Sequence, residues 1–141
     1  MKKTVKDMVD EAMAKVETIS VAEAMKRQDD DAFVIVDIRD VRELDREGMI
    51  PGAFHAPRGM LEFWVDPESP YHKDIFASGK TFVFYCRSGQ RSALAAATLQ
   101  DMGLDPVIVG PLARAIEFDR ATPVYQTGAS AREIRETLNI R

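Results

Sequence analysis

The sequence is poor in the residues that build metal centres and disulfides. Among its 141 residues there is one cysteine, Cys86, and there are two histidines, His55 and His72. One thiol excludes an intramolecular disulfide, and two histidines add too few ligands for a tetrahedral zinc site of the usual kind. We therefore expect no metal and no other cofactor.

The sequence also lacks a long apolar run and an excess of basic residues. Asp7, Asp10 and Glu11 interrupt the segment after Met1-Lys2-Lys3, which disfavours a signal peptide or a membrane span. The 19 lysines and arginines against 23 aspartates and glutamates give a net charge of −4. Nucleic acid and anionic membranes need a basic surface, so neither is expected as a partner. A free thiol persists in the reducing cytoplasm, and we expect a single-domain protein located there.

Two helices are predicted before the first strand. The apolar residues of the first helix recur at helical spacing and form one stripe: Val5, Met8, Val9, Ala12, Met13 and Val16. Such a stripe is usually core packing against the body of a protein, and a partner-binding helix is the alternative. A capping box at Ser20-Val21-Ala22-Glu23 predicts a second helix that ends near Arg27.

Three runs of mostly β-branched and aromatic residues predict strands that are buried on both faces, at residues 32–37, 81–85 and 106–109. Residues 92–102 are rich in alanine and leucine and predict a helix that stops at Gly103. The order strand, helix, strand implies a right-handed βαβ unit. Between residues 48 and 80, frequent proline and glycine predict loops, a short strand at 53–56 and short helices around 60–64. Residues 130–140 predict a closing helix.

Cys86 stands at the junction of the second predicted strand and the helix after it. It is the first residue of the segment Cys86-Arg87-Ser88-Gly89-Gln90-Arg91-Ser92. The small residues and the two arginines of this segment are typical of a loop that binds an anion. Free cysteine thiols have a pKa of about 8.5, and helix N-termini and cations lower such values. A lone cysteine is most often a small buried apolar residue. This loop instead predicts a nucleophilic thiolate in a local positive site.

Three motifs in this order resemble those of the rhodanese-like sulfurtransferases. They are Val36-Asp37-Ile38-Arg39 with Glu43, then Gly48-Met49-Ile50-Pro51-Gly52-Ala53, then the loop Cys86 to Ser92. The second motif has methionine where the family usually has histidine. The resemblance covers about residues 16–124 and divides the chain into an N-terminal amphipathic helix packed on the domain (1–17), a rhodanese-like domain (18–126) and a C-terminal helix (127–141).

The resemblance implies an α/β fold with a mostly parallel five-stranded sheet and helices on both faces. It also implies a thiosulfate sulfurtransferase-type enzyme in which Cys86 cycles between thiolate and persulfide. Backbone N–H groups of residues 87–91 would hold the charged sulfur, and the whole loop from Arg87 to Ser92 would bind the anion. Arg87 and Arg91 would attract a small anionic sulfur donor such as thiosulfate, with a structural role as the alternative for Arg91. The acceptor would be a thiol, cyanide or a protein.

Three residues outside the loop are candidates for supporting roles. Asp37 and Arg39 either act at the site or form a structural pair at the end of a strand, and the structural pair is the preferred interpretation. Arg58 either faces the donor or lies in solvent. The wall formed by residues 111–118 departs from the family pattern, with Phe118 as its nearest large aromatic residue.

Two alternatives to a sulfurtransferase that turns over small molecules remain at this stage. The first is a regulatory or protein-to-protein sulfur-relay module in which Cys86 accepts sulfur from a protein. The second is an enzyme acting on arsenate or phosphate with the same anion cradle. Dual-specificity phosphatases carry Cys-x5-Arg, whereas Arg91 here closes Cys-x4-Arg, and the shorter loop favours sulfur over phosphoryl transfer.

Overall fold

Helices and strands alternate along the chain in a computed structural model, which describes residues 1–27, 29–104 and 107–110. The strands are β1 (Glu17–Thr18), β2 (Phe33–Asp37), β3 (Phe54–His55), β4 (Thr81–Tyr85) and β5 (Val107–Gly110). The helices are α1 (Val5–Lys15), α2 (Val21–Arg27), α3 (Val41–Glu47), α4 (Leu61–Val65) and α5 (Gln90–Asp101), with 3₁₀ helices at Arg58–Met60 and Asp74–Ala77.

The described strands form one sheet in the order β1-β5-β4-β2-β3, and each neighbouring pair is parallel. The predicted α/β class with a parallel sheet is therefore confirmed. The register pairs Tyr85 with Asp37 on one side and with Gly110 on the other. Because Asp37 and Tyr85 end their strands, the two segments that follow them, including Cys86, leave the sheet at the same edge.

Both faces of the central strands are buried, which explains their continuous apolar runs. Side chains alternate between faces along a strand. One face carries an apolar cluster that includes Val34, Val36, Phe82 and Phe84 together with Ala95, Ala96 and Leu99 of α5. Tyr85 is buried on the opposite face, where its hydroxyl accepts a hydrogen bond from the backbone N–H of Ile50 at 3.2 Å. The turn that follows α3, which contains Ile50, therefore covers part of that face.

The stripe on α1 is only partly buried. Ala12 and Val16 are covered, but Val5, Met8 and Met13 remain 67%, 46% and 44% exposed. Among the described residues, α1 packs mainly on α5, so only a narrow strip of its surface is covered. The expectation that the whole stripe lies against the body is wrong for these three residues.

Most elements predicted from the sequence are present, with three differences. Ser20 caps α2 by accepting a hydrogen bond from the Glu23 N–H at 3.1 Å, as predicted. Helix α5 begins two residues earlier than predicted, because Gly89 at its N-cap has a left-handed backbone and the helix starts directly after it. Strand β1 and helix α3 were not predicted.

Some predictions lie outside the described residues. These are the closing helix at 130–140, the segment 127–141, residues 111–126 of the predicted domain and the wall at 111–118 with Phe118. Within the described residues, no helix is both long and apolar enough to span a membrane.

A buried arginine connects strand β2 to the end of helix α3. The side chain of Arg39 is 1% exposed, and its Nε and Nη2 donate to the two carboxylate oxygens of Asp37 at 3.0 and 2.7 Å. Nη2 also donates to the Gly48 carbonyl at 2.8 Å, and Nη1 donates to Glu47 Oε2 at 3.2 Å. Burial lowers the pKa of Arg39, but the hydrogen bonds and charge of Asp37 outweigh it and raise the pKa above its ordinary value. The guanidinium therefore stays charged inside the fold.

We predict that Asp37→Asn destabilises the protein by about 3 kcal/mol, because it leaves a buried cation without its main partner. Urea unfolding at pH 7 measures the loss. Asp10→Asn is the matched control, since the Asp10 carboxylate pairs with Lys6 in solvent. A D37N midpoint as close to wild type as that of D10N would contradict the prediction.

Candidate active site

Cys86 follows β4 directly and is fully buried. The backbone N–H of Gly89 donates to the Cys86 Sγ at 3.2 Å. Gly89 has φ +91°, a left-handed conformation that side chains rarely adopt. The turn that aims this N–H at the sulfur therefore depends on glycine at position 89.

Ser92 is the second polar partner of the sulfur. Its hydroxyl is buried, lies 3.5 Å from the Cys86 Sγ and donates to the Gly89 carbonyl at 3.1 Å. A hydroxyl carries a single proton, so in this arrangement the Ser92 oxygen accepts from the thiol. Rotation of the hydroxyl would supply a donor to a thiolate. The N-terminus of α5 adds the positive end of its dipole beside the same sulfur.

Both arginines of the loop are paired with glutamates of α3. Arg87 Nη1 donates to Glu47 Oε1 at 3.0 Å. Arg91 donates through Nη1 and Nη2 to both oxygens of Glu43, at 2.7 and 3.0 Å. The hydrogen bond from Arg91 lowers the pKa of Glu43, and the same contact raises the pKa of Arg91. The positive charge predicted for this loop is therefore offset by two carboxylates.

The remaining loop residues, Ser88 and Gln90, are exposed and line a pocket of about 390 Å³ together with Gly89. The rest of the lining comes from α1, from the end of β1 and from the two residues after it: Val9, Met13, Thr18, Ile19 and Ser20. The loop thus has a cavity on one side and the α3 glutamates as ion-pair partners of its arginines.

A family model for the rhodanese-like domain matches residues 20–110, which is more than half of the chain. The chain belongs to the rhodanese-like domain family. This confirms the resemblance found in the three sequence motifs.

Several solved structures are similar to this rhodanese-like domain. A protein of unknown function from Rhodopseudomonas palustris, named a possible tyrosine phosphatase, is 50% identical, with 87% of this chain and 95% of that chain covered and a TM-score of 0.79. A human single-domain sulfurtransferase is 22% identical over 76% of this chain and 99% of that chain, with a TM-score of 0.58. The polysulfide-sulfur transferase homodimer of Wolinella succinogenes is 24% identical over 84% of each chain, with a TM-score of 0.58. The latter two show a shared fold. The comparison with curated proteins finds no match.

The three candidates outside the loop of this rhodanese-like domain have other partners. Asp37 and Arg39 form the buried pair that connects β2 to α3, as the structural interpretation expects. Arg58 Nη1 donates to Glu62 Oε1 at 2.5 Å, one helical turn further on. Arg39 is connected to the Cys86 loop through Glu47, whose Oε2 accepts from Arg39 while its Oε1 accepts from Arg87.

Sequence reasoning did not identify Glu47, and it gave Glu43 no role at the site. The usable signal was Asp40-Val41-Arg42-Glu43, a capping box that the structure shows at the start of α3. A helix beginning there places Glu43 and Glu47 one turn apart on the same side. Which cations they meet depends on tertiary structure, because Arg87 and Arg91 lie 40 and 48 residues away.

We predict that Glu43→Gln lowers the free energy of unfolding by about 1 kcal/mol at pH 7 and by less in acid. Glutamine retains the capping hydrogen bonds and removes the charge paired with Arg91. Because the pKa of Glu43 is lowered by folding, its contribution is complete above the ordinary value of 4.5 and disappears as pH falls through the lowered value. Urea unfolding at pH 7 and pH 3 measures the difference.

The control for this prediction is Glu62→Gln, which removes an exposed partner of Arg58 on α4. It should change stability less than E43Q at pH 7. A stability difference between wild type and E43Q that grows as the pH falls would contradict the assigned ion pair.

Proposed function

We propose that this rhodanese-like domain is a sulfurtransferase in which Cys86 carries a sulfane sulfur from a donor to an acceptor. The observation that carries the proposal is the environment of the Cys86 Sγ. A backbone N–H from Gly89 and the hydroxyl of Ser92 lie at this sulfur, and it sits beside the N-terminus of α5. Such groups stabilise negative charge on sulfur without a metal or a general base.

In the first half of the reaction, the Cys86 thiolate attacks the outer sulfur of a donor such as thiosulfate. A bond forms between Sγ and that sulfur, while the donor's own S–S bond breaks. The leaving group, sulfite in the case of thiosulfate, retains the electron pair. The charge then resides on the terminal sulfur of the Cys86 persulfide, and covalent catalysis has divided one transfer into two displacements.

In the second half, a nucleophilic acceptor takes the terminal sulfur and the Cys86 thiolate is released. Cyanide would become thiocyanate, and a thiol would become a persulfide. Cys86 is the only cysteine among the 141 residues, so no second thiol of the same chain can resolve the persulfide. The acceptor is therefore a separate molecule, either small or a protein.

Phosphate ester hydrolysis is the competing function, because the protein from Rhodopseudomonas palustris is named a possible tyrosine phosphatase. A cysteine phosphatase holds the phosphoryl group with a bidentate arginine at the end of its loop. Here Arg91 closes a loop of Cys-x4-Arg and already binds Glu43 through two nitrogens. This pairing favours sulfur transfer over phosphoryl transfer.

We predict that a large excess of thiosulfate adds one sulfur atom to the wild-type protein and none to Cys86→Ser, as measured by intact mass spectrometry. Subsequent addition of cyanide should remove that sulfur and release thiocyanate. An unmodified wild-type mass, together with hydrolysis of an aryl phosphate that C86S abolishes, would contradict the proposal and support a phosphatase.

A further inference from the structure

The charges beside the Cys86 loop are balanced. Three arginines and three carboxylates pair here. Asp37, Arg39, Glu47 and Arg87 form one continuous chain of ion pairs, and Glu43 with Arg91 forms a separate pair. Each of these arginines contacts at least one carboxylate, so none of the three is an unpaired cation. A donor that approaches Cys86 encounters the Gly89 N–H, the N-terminus of α5 and Arg91, which interacts with Cys86 but is paired with Glu43.

The two loop arginines differ in how firmly they are held. Arg91 makes two hydrogen bonds with Glu43, and its side chain is 44% exposed. Arg87 makes one hydrogen bond, with Glu47, and its side chain is 70% exposed. Arg87 is therefore the cation that a small anion in solvent can reach most easily, once it leaves its glutamate.

Glu47 is fixed from its other side. Its Oε2 accepts from the buried guanidinium of Arg39 at 3.2 Å, while its Oε1 accepts from Arg87 at 3.0 Å. The Glu47 side chain is 29% exposed, in contrast to its solvent-facing partner Arg87. Because Arg39 is buried and holds Glu47 in place, the Glu47 carboxylate stays beside the loop as a partner for Arg87.

We infer that Glu47, by holding Arg87, makes Cys86 prefer sulfane-sulfur donors with one negative charge over donors with two. The Gly89 N–H, the Ser92 hydroxyl and the α5 N-terminus stabilise one negative charge at the buried sulfur, whereas the second charge of a dianion requires an additional cation that is not already paired. The donors favoured are therefore organic thiosulfonates and similar singly charged compounds. This inference rests on the proposed sulfur transfer and names the donor class for the same site.

Two donors of different charge are compared, and the change in the ratio of their rates between wild type and a variant removes the difference in their intrinsic reactivity. Methanethiosulfonate and thiosulfate both present an outer sulfur bound to an oxidised sulfur atom, and they carry one and two negative charges. The Cys86 thiolate takes the outer sulfur from either one as the donor S–S bond breaks. The electron pair leaves with methanesulfinate in the first case and with sulfite in the second.

The experiment measures the second-order rate of sulfur addition to Cys86 by intact mass, with each donor at equal ionic strength. We expect the wild type to react faster with methanethiosulfonate. Glu47→Gln should raise the thiosulfate rate by about five-fold and the methanethiosulfonate rate by less than about two-fold, as expected when one exposed ion pair is released. The methanethiosulfonate rate also shows whether the site is intact in the variant.

Glu11→Gln is the matched control, because Glu11 forms an exposed ion pair with Lys3 on α1. It removes the same charge and should leave the ratio of the two rates unchanged. The increase in thiosulfate rate caused by E47Q should also disappear in the double variant that carries Arg87→Gln, because the increase depends on the released Arg87 guanidinium.

Three results would overturn the inference. The first is a ratio of rates in E47Q equal to that of the wild type, with both donors loading Cys86. The second is a gain with thiosulfate that persists in the E47Q variant that also carries Arg87→Gln. The third is a failure of both donors to load wild-type Cys86. This result would also refute the proposed sulfur transfer, whereas the first two results would leave it standing.

Discussion

The buried ion pair between Arg39 and Asp37 is the interaction on which the arrangement of the site depends. A guanidinium inside a fold is stable only when carboxylates and carbonyls satisfy it, and Arg39 binds Asp37, Glu47 and the Gly48 carbonyl. These partners come from the end of β2 and from the end of α3. The requirement to satisfy one charge therefore fixes the position of α3 relative to the carboxyl edge of the sheet.

The position of α3 in turn determines the electrostatics around Cys86. With α3 fixed, Glu43 and Glu47 lie within reach of the two arginines that follow the cysteine. The sulfur then has three dipolar partners, namely the Gly89 N–H, the Ser92 hydroxyl and the α5 terminus, and it also interacts with Arg91, whose charge is shared with Glu43. A site of this kind suits a singly charged sulfur that alternates between thiolate and persulfide.

Local signals in the sequence were sufficient to predict the central strands and the cysteine loop. Burial on both faces produces the continuous apolar runs of β2 and β4, and a cysteine between such a strand and a helix is visible without any structure. Strand β1 was missed because two residues carry no periodicity. The pairing of Arg87 with Glu47 could not be predicted, since it joins distant segments through tertiary contacts. The exposure of Met8 and Met13 was missed because it depends on which neighbour covers α1.

A double-mutant cycle between Asp37→Asn and Glu47→Gln, measured by urea unfolding, tests most directly whether Arg39 is the shared centre of this network. Both carboxylates pair with the Arg39 guanidinium. Removal of either one therefore makes the stability of the fold depend more strongly on the other. We predict that the combined loss of stability exceeds the sum of the separate losses by at least about 0.5 kcal/mol. Losses that add within about 0.3 kcal/mol would show independent sites and contradict this account.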